Sequence, residues 1–248
     1  MYKYFIFFSS LLNFVKYLLK GNKVYIKPNA SFSISSSSSL KNVKLYVASG
    51  ARLKINANVS LSNVSICVEK GECIIHDNCI IGSPAKRGAA TTNIIINDGS
   101  LHVDHHTKLS LDRIWIRFGG HLTIGCYTNI NKGSEIRCDE QINIGDYNQI
   151  SYGVRIWDTN THTIYDKSER RRITEKYFPY FGYETSKPKT APVFIGNDCW
   201  IGENAALLKG TKLGDEVIVG YNSLLSGPEI GDGFTVVTQT TLKIRKRQ

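Results

Sequence analysis

A chain of 248 residues, of which 42% are hydrophobic, is long enough to bury a core, and one elongated domain accounts for it. Its net charge of +10 would suit nucleic acid, but the basic residues are spread out and no helix-turn-helix, zinc-finger or RNP pattern accompanies them, so we expect no nucleic-acid partner. The charge favours an anionic small ligand, an acidic polysaccharide or an anionic membrane surface, against the alternative of a merely solvated basic surface.

Residues 1–22 are predicted to form an amphipathic helix, because apolar residues recur there at three- and four-residue spacing: Phe5, Phe8, Leu12, Val15 and Leu19. The apolar stretch is too short to span a bilayer, and no signal-peptide cleavage pattern follows it. Two roles stay open: a cap on the end of the fold, or an interfacial anchor on a membrane. We expect a cytoplasmic protein, with peripheral contact at the inner membrane surface if the second role holds.

Aliphatic residues that recur every sixth position, several of them followed by glycine, are the strongest pattern in the chain. The later run is Ile195, Ile201, Leu207, Leu213 and Val219; the earlier runs are Ile124, Ile130, Ile136 and Ile142, then Ile144, Ile150 and Ile156. This period is neither helical nor strand-like and predicts a β-solenoid over residues 23–238, with a β-sandwich as the alternative. Since the flanks of a solenoid stay exposed unless another subunit covers them, we expect self-association.

Three of the six cysteines, Cys67, Cys73 and Cys79, keep the same six-residue step and are predicted to point the same way as small core or wall residues. No C-x-x-C pair occurs, which argues against a zinc ribbon or a thioredoxin-like site. We therefore expect free thiols in a reducing compartment.

Two interruptions break the repeat, a loop near residues 82–92 and a longer insertion at residues 157–192, and a basic tail follows at 239–248. The longer insertion holds His162, the consecutive Arg170, Arg171 and Arg172, and several aromatic residues. Structureless insertions of this length are usually functional when they occur. We therefore look for the chemistry in this protruding loop.

Asp158 and His162 are four residues apart where the chain leaves the solenoid. The carboxylate would fix the tautomer of the imidazole and raise its basicity, as an orienting group does for a general base. Because a lone histidine is more often structural, the spacing alone leaves both readings open.

Residues 120–227 resemble the hexapeptide-repeat acyltransferases, which have a left-handed parallel β-helix, and in particular bacterial O-acetyltransferases of sugars and capsular polysaccharides. The resemblance rests on the hexads, the D-x-x-x-H segment from Asp158 to His162, the interrupting loop, and the run VFIGNDCWIGENAALLKGTKLGDEVIVG. It implies an acetyl-CoA-dependent O-acetyltransferase that acts as a homotrimer with sites between subunits. His162 would be the general base in a direct transfer to a glycan hydroxyl, and no metal is expected.

The resemblance also implies further site residues. Trp200 would lie near the acceptor or the thioester; alternatively, it is an aromatic residue of the wall that packs between subunits. An acidic sugar would be held by Arg170, Arg171 and Arg172; alternatively, these are solvated charges of the loop. The cofactor-binding positions would be Gly202, Glu203, Lys209, Gly220, Tyr221 and Ser226. Past Gly227 the chain departs from the family pattern, so the usual contacts to the CoA phosphates are missing from the sequence. Either the basic residues of the tail replace them, or that tail is solvated; these residues are Lys243, Arg245, Lys246 and Arg247.

Other functions remain compatible with the sequence. One is N-acetylation of an amino sugar or acetylation of a small molecule, which would use the same base and thioester. A β-helical carbonic anhydrase would need three histidines around zinc, but His162 has no histidine partner at coil spacing. A non-catalytic scaffold or glycan-binding module is the alternative outside enzymes.

Overall fold

The computed structural model describes residues 21–83, 91–180 and 186–239. The amphipathic helix predicted for residues 1–22, apart from its last two positions, lies outside the described residues. So do most of the 82–92 loop and nearly all of the basic tail.

The described chain winds through three sheet faces in turn. The first face contains β1 (Lys23–Ile26), β8 (Thr92–Ile96), β11 (Arg113–Ile116), β14 (Glu135–Cys138), β17 (Arg155–Trp157), β20 (Ala206–Leu208) and β23 (Leu224–Ser226). The second contains β2 (Ser31–Ile34), β4 (Arg52–Ile55), β6 (Gly71–Ile75), β9 (Gly99–Val103), β12 (Gly120–Ile124), β15 (Gln141–Ile144), β18 (Val193–Ile195), β21 (Lys212–Leu213) and β24 (Glu229–Ile230). The third contains β7 (Ile80–Gly82), β10 (Lys108–Leu109), β13 (Asn129–Ile130), β16 (Gln149–Ile150), β19 (Trp200–Ile201), β22 (Ile218–Val219) and β25 (Thr235–Val236). The long strands β3 (Ser39–Val47) and β5 (Ser60–Val68) cross from the third face into the first.

Each strand pairs in parallel with its counterpart one coil later, so the predicted left-handed parallel β-helix is confirmed. The hexad positions lie inside it. Ile114, Ile136, Ile156 and Leu207 follow one another in register and are buried. The six-residue period places one aliphatic side chain on each face per coil, and stacking these side chains builds one continuous core.

The prediction that Cys67, Cys73 and Cys79 point the same way is wrong. Cys73 and Cys79 are buried in the core, whereas Cys67 is half-buried on the outer surface of the first face, in register with Ile95. The turn between β5 and β6 is short, so a residue six positions after an outward-facing one points inward. All six cysteines are free thiols.

Three corners connect the faces: the first corner joins the first and second faces, the second corner joins the second and third, and the third corner joins the third and first. Asparagine often provides the left-handed turn residue, as at Asn58 and Asn78, with φ near +57° and +60°. At the first corner Gly99 has φ of +136°, and a Cβ there would lie 2.1 Å from the carbonyl oxygen of Gly120. Glycine at this position allows the coils to stack closely.

The long insertion leaves the solenoid at the first corner, between β17 and β18. Contrary to the expected structureless loop, it contains an eleven-residue helix, α1 (Lys167–Tyr177). Asp166 caps the helix by accepting hydrogen bonds from the backbone N–H groups of Ser168 and Glu169. In the described part of the chain, no helix has the length and apolar character to cross a bilayer.

Candidate active site

The insertion is fastened to the solenoid at its neck. The backbone N–H of Asn160 donates to the carbonyl of Lys189 at 3.0 Å, and Thr159 forms an antiparallel bridge with Thr190. The outgoing and returning chains therefore support each other immediately before His162.

Asp158 is fully buried and builds the corner instead of orienting the imidazole. Its Oδ1 accepts from the backbone N–H of Asp139, and its Oδ2 accepts from those of Glu140 and Gln141, each at 2.8 Å. Burial raises the pKa of Asp158 to about 6, with the charge of Asp139 adding to the rise and the three N–H donors opposing it. Three backbone donors bind this carboxylate, so the structure shows it holding the corner and does not show it fixing the tautomer of His162.

A buried ion pair between the two preceding coils holds the segment that leads to His162. The Arg117 guanidinium donates to Asp139 through Nε at 2.9 Å and Nη2 at 2.7 Å. Thr159 Oγ1 donates to the same carboxylate at 2.7 Å, and Arg117 Nη2 also donates to the carbonyl of Thr161 at 3.2 Å. The residue before His162 is thus tied to the solenoid core by charge-assisted hydrogen bonds.

His162 lines a cavity of about 330 Å³ at the first corner. Asn160 and Thr163 contribute to the wall, together with Lys187 and Lys189 from the returning chain. Sequence reasoning missed the two lysines, although the Lys-Pro-Lys run at residues 187–189 was a usable signal. The two lysines in the lining of the cavity favour an anionic substrate.

The outer surface of the first face, beside this corner, carries arginine and tryptophan in register. Arg137 lies over the Trp157 ring at 4.4 Å from its centroid and 5.7 Å from that of Trp115. Arg137 and Arg113 both donate to Glu135. Burial alone would raise the pKa of Glu135, but the hydrogen bonds and charges of these arginines lower it overall. The sequence analysis did not predict this network of arginine, tryptophan and Glu135.

The predicted arginine cluster lies on α1 and is exposed. Arg172 donates to Glu169 of the same helix at 2.7 and 2.6 Å, while Ile173 is the helical residue that is buried. Exposed pairs of this kind contribute little free energy. Arg170, Arg171 and Arg172 are not among the residues that line the His162 cavity.

Trp200 lies on the third face, 61% exposed, in register with Gln149 on one side and Ile218 on the other. His162 follows the first corner, which is opposite this face of the three-sided coil. Within one chain, therefore, the structure does not bring Trp200 and His162 together.

The six predicted cofactor-binding residues divide between two corners. Gly202, Glu203, Gly220 and Tyr221 form adjacent turns at the third corner, where the Asn222 N–H donates to the carbonyl of Glu203 at 2.8 Å. Lys209 and Ser226 lie where β20 and β23 reach the first corner. The two sets therefore lie at different corners of the coil.

Two other histidines, both on the second face, each pair with one side chain. His102 Nε2 is 2.9 Å from a Glu72 carboxylate oxygen, and His121 Nδ1 is 2.8 Å from the Ser100 hydroxyl. Over the residues that the structure describes, no three His, Cys, Asp or Glu side chains are grouped so as to hold a metal ion.

Comparison with known proteins gives matches of three kinds. The family model described as bacterial transferase hexapeptide (six repeats) matches residues 192–227, which are the coils directly after the insertion. WbbJ of Escherichia coli strain K12, which has the name of a lipopolysaccharide biosynthesis O-acetyl transferase, is 29% identical over 156 residues, covering 62% of this chain and 74% of that protein. Among solved structures, the polySia-specific acetyltransferase NeuO has a TM-score of 0.43 at 16% identity, over 88% of this chain and 79% of its own. The polysialic acid O-acetyltransferase OatWY has a TM-score of 0.45 at 19% identity, over 84% and 80%.

Proposed function

We propose that this chain is a hexapeptide-repeat acyltransferase, in keeping with the family match over residues 192–227, and that it transfers an acetyl group from acetyl-CoA to a sugar hydroxyl of a bacterial surface glycan. That glycan would be capsular or part of a lipopolysaccharide, in keeping with the name of the E. coli relative. The observation that carries the proposal is the position of His162: it lies in a cavity at the one corner where a described insertion interrupts the coils.

In the proposed reaction His162 acts as general base. The imidazole takes the proton from the acceptor hydroxyl as its oxygen forms a bond to the thioester carbonyl carbon. Collapse of the tetrahedral intermediate breaks the carbon–sulfur bond, and the proton held by His162 passes to the departing CoA thiolate. The acetyl ester and free CoA are the products, and no acyl-enzyme forms.

The surroundings of His162 support this role through position. The Arg117–Asp139 pair and the Thr159 hydroxyl fix the backbone up to Thr161. A base that is held in place loses little entropy when the reacting groups meet. Lys187 and Lys189 would attract the negatively charged donor or acceptor to the cavity.

We further propose a homotrimer with its sites between subunits. Trp200 and the turns that contain Glu203 and Tyr221 lie away from the first corner of their own chain. Packing the exposed third face of one subunit beside the His162 corner of the next would bring these residues together. The proposed organisation is an N-terminal helix at 1–22, a β-helix at 23–238 and a tail at 239–248, in the cytoplasm or at the inner membrane surface.

The test measures CoA release from acetyl-CoA with a panel of bacterial glycans, and identifies the acetylated sugar by mass spectrometry. His162→Ala should lower kcat by about 100- to 10,000-fold, the usual contribution of general base catalysis. His121→Ala, on the outer second face, is the matched control and should retain normal activity. Full activity in His162→Ala would refute the mechanism.

The panel also separates the alternatives. Acetylation of amino sugars alone would indicate N-acetylation. Glycan binding without CoA release would indicate a binding module or scaffold.

A further inference from the structure

A second cleft opens at the first corner, on the coils that precede the insertion. Its volume is about 580 Å³, and it is lined by Asn97, Asp98, Trp115, Arg117 and Phe118. Clefts that hold small ligands typically measure about 300 to 1,000 Å³. This cleft is therefore large enough for a sugar residue, and the proposed reaction does not otherwise use it.

Arg117 lines this cleft and carries an unpaired donor. The residue is only 4% exposed, and Nε and Nη2 are both bonded, to Asp139 and to the Thr161 carbonyl. Among the described residues, its buried Nη1 has no hydrogen-bond acceptor. Because the guanidinium is planar and its Nε–Nη2 edge faces Asp139, Nη1 points away from that carboxylate. A buried charged donor without an acceptor requires an explanation, and a bound ligand would supply one.

Two aromatic rings hold the Arg117 guanidinium at the cleft. Its central carbon lies 4.4 Å from the Trp115 ring centroid and 5.1 Å from that of Phe118. Trp115 is itself fixed, since its indole N–H donates to Asn97 Oδ1 at 2.7 Å. The cleft thus combines apolar ring surface with a fixed cationic donor, a combination that suits an anionic sugar.

Three guanidinium groups surround the Trp115 ring, and each of them is also paired with the carboxylate of Glu135 or Asp139. Arg113 and Arg137 also lie near Trp115, at 5.3 and 5.7 Å from its centroid. The one acidic residue in the lining, Asp98, is paired with Lys70 at 3.0 Å. The unsatisfied Nη1 of Arg117 favours an anionic group of the ligand over a neutral hydroxyl, because a hydrogen bond between two charged groups is stronger.

We propose that this cleft binds a carboxylate-bearing sugar residue of the acceptor glycan. Arg117 Nη1 donates to a carboxylate oxygen, and the sugar ring packs against Phe118 and Trp115. Because Arg117 also holds the carbonyl next to His162, a chain bound here presents a neighbouring sugar residue to the catalytic base. This inference rests on the proposed function, and it assigns acidic-sugar recognition to Arg117 instead of the exposed arginines of α1.

The test measures binding by calorimetry without acetyl-CoA. The probes are oligosaccharides of a hexuronic acid and of a nonulosonic acid, each beside its carboxyl-reduced neutral form. The carboxylated form should bind roughly 10- to 100-fold more tightly than the reduced form, because a hydrogen bond to a charged group is lost on reduction.

Two variants locate the site. Phe118→Asn changes the rim while keeping a residue that tolerates the left-handed turn, and should weaken binding of the carboxylated probe and raise the acceptor KM roughly fivefold or more, with the acetyl-CoA KM unchanged. Tyr147→Asn is the matched control, because Tyr147 is an aromatic residue in the same conformation at the second corner (φ +58° against +55°). It should bind normally. Arg117→Lys should remove the preference for the carboxylated form if the variant retains the fold by circular dichroism.

Equal binding of carboxylated and reduced probes, no binding of either, or equal effects of Phe118→Asn and Tyr147→Asn would each overturn the assignment. A failure of the proposed function would give a different result from a failure of this assignment. If the function fails, the carboxylate preference persists, but no glycan in the panel becomes acetylated.

Discussion

Asp139→Asn should destabilise the first corner strongly. Asp139 is fully buried, and its carboxylate accepts from Arg117 Nε and Nη2 and from Thr159 Oγ1. The substitution removes the counter-charge and replaces one acceptor oxygen with an NH₂ group, which leaves a buried cation uncompensated. Breaking a buried pair in this way costs about 3–5 kcal/mol. For a chain of this length each kcal/mol lowers Tm by about 2–4 °C, so we expect a drop of roughly 6–20 °C.

The assay is thermal unfolding of the purified protein, with amide hydrogen exchange to locate the change. The matched control is Glu229→Gln, which breaks the Lys212–Glu229 pair at 3.2 Å, where the side chains are 51% and 75% exposed. Removing an exposed pair should cost less than about 1 kcal/mol. Exchange should accelerate at the Thr161 amide, which donates to Thr159 Oγ1 at 3.0 Å. Equal Tm shifts in the two variants would refute the view that this pair anchors the segment before His162.

Two further predictions concern the same corner. Burial raises the pKa of Asp158 from 3.8 to about 6, so its contribution to stability is present below about pH 4 and is lost as the pH rises through 6. From about pH 4 to 7 the free energy of unfolding of the parent protein should fall by about 2 kcal/mol more than that of Asp158→Asn. Parallel curves for the two proteins in denaturant titrations at several pH values would contradict the assignment. Gly99→Ala should cost about 3 kcal/mol or more, because its Cβ would lie 2.1 Å from the Gly120 carbonyl oxygen, whereas Gly50→Ala, with φ of +76° and no atom within 4 Å, should cost only about 1–2 kcal/mol of backbone strain. Similar melting temperatures for the two alanine variants would show that the coils can move apart.

The position of the insertion and of His162 was predictable, because an interruption of a strict repeat is visible in one sequence. The role of Asp158 was not, since a four-residue spacing does not show that backbone N–H groups from the previous coil would occupy its carboxylate. The helix α1 could have been found from Asp166 followed three residues later by Glu169, a common helix-start pattern.

The Arg117–Asp139 pair was harder to find. Its partners are 22 residues apart, and they meet because that separation is close to one coil of the solenoid. Trp115, Arg137 and Trp157 are related in the same way, in register on successive strands. Contacts of this kind can be predicted only after the residues of successive coils have been aligned. The six-residue repeat gives that alignment only where every turn between strands has the same length.

The sequence by itself determined the architecture, because an aliphatic residue every sixth position can be buried continuously only when the chain coils into stacked parallel strands. It also determined where the coil is interrupted. Only the tertiary structure decided which side chains meet at that interruption. It separated Trp200 from His162, bound the Asp158 carboxylate to backbone N–H groups, and placed Arg117 beside the segment that leads to His162. The physical reason is that core burial follows a local period, whereas hydrogen bonds and ion pairs between coils depend on distances that a period does not specify.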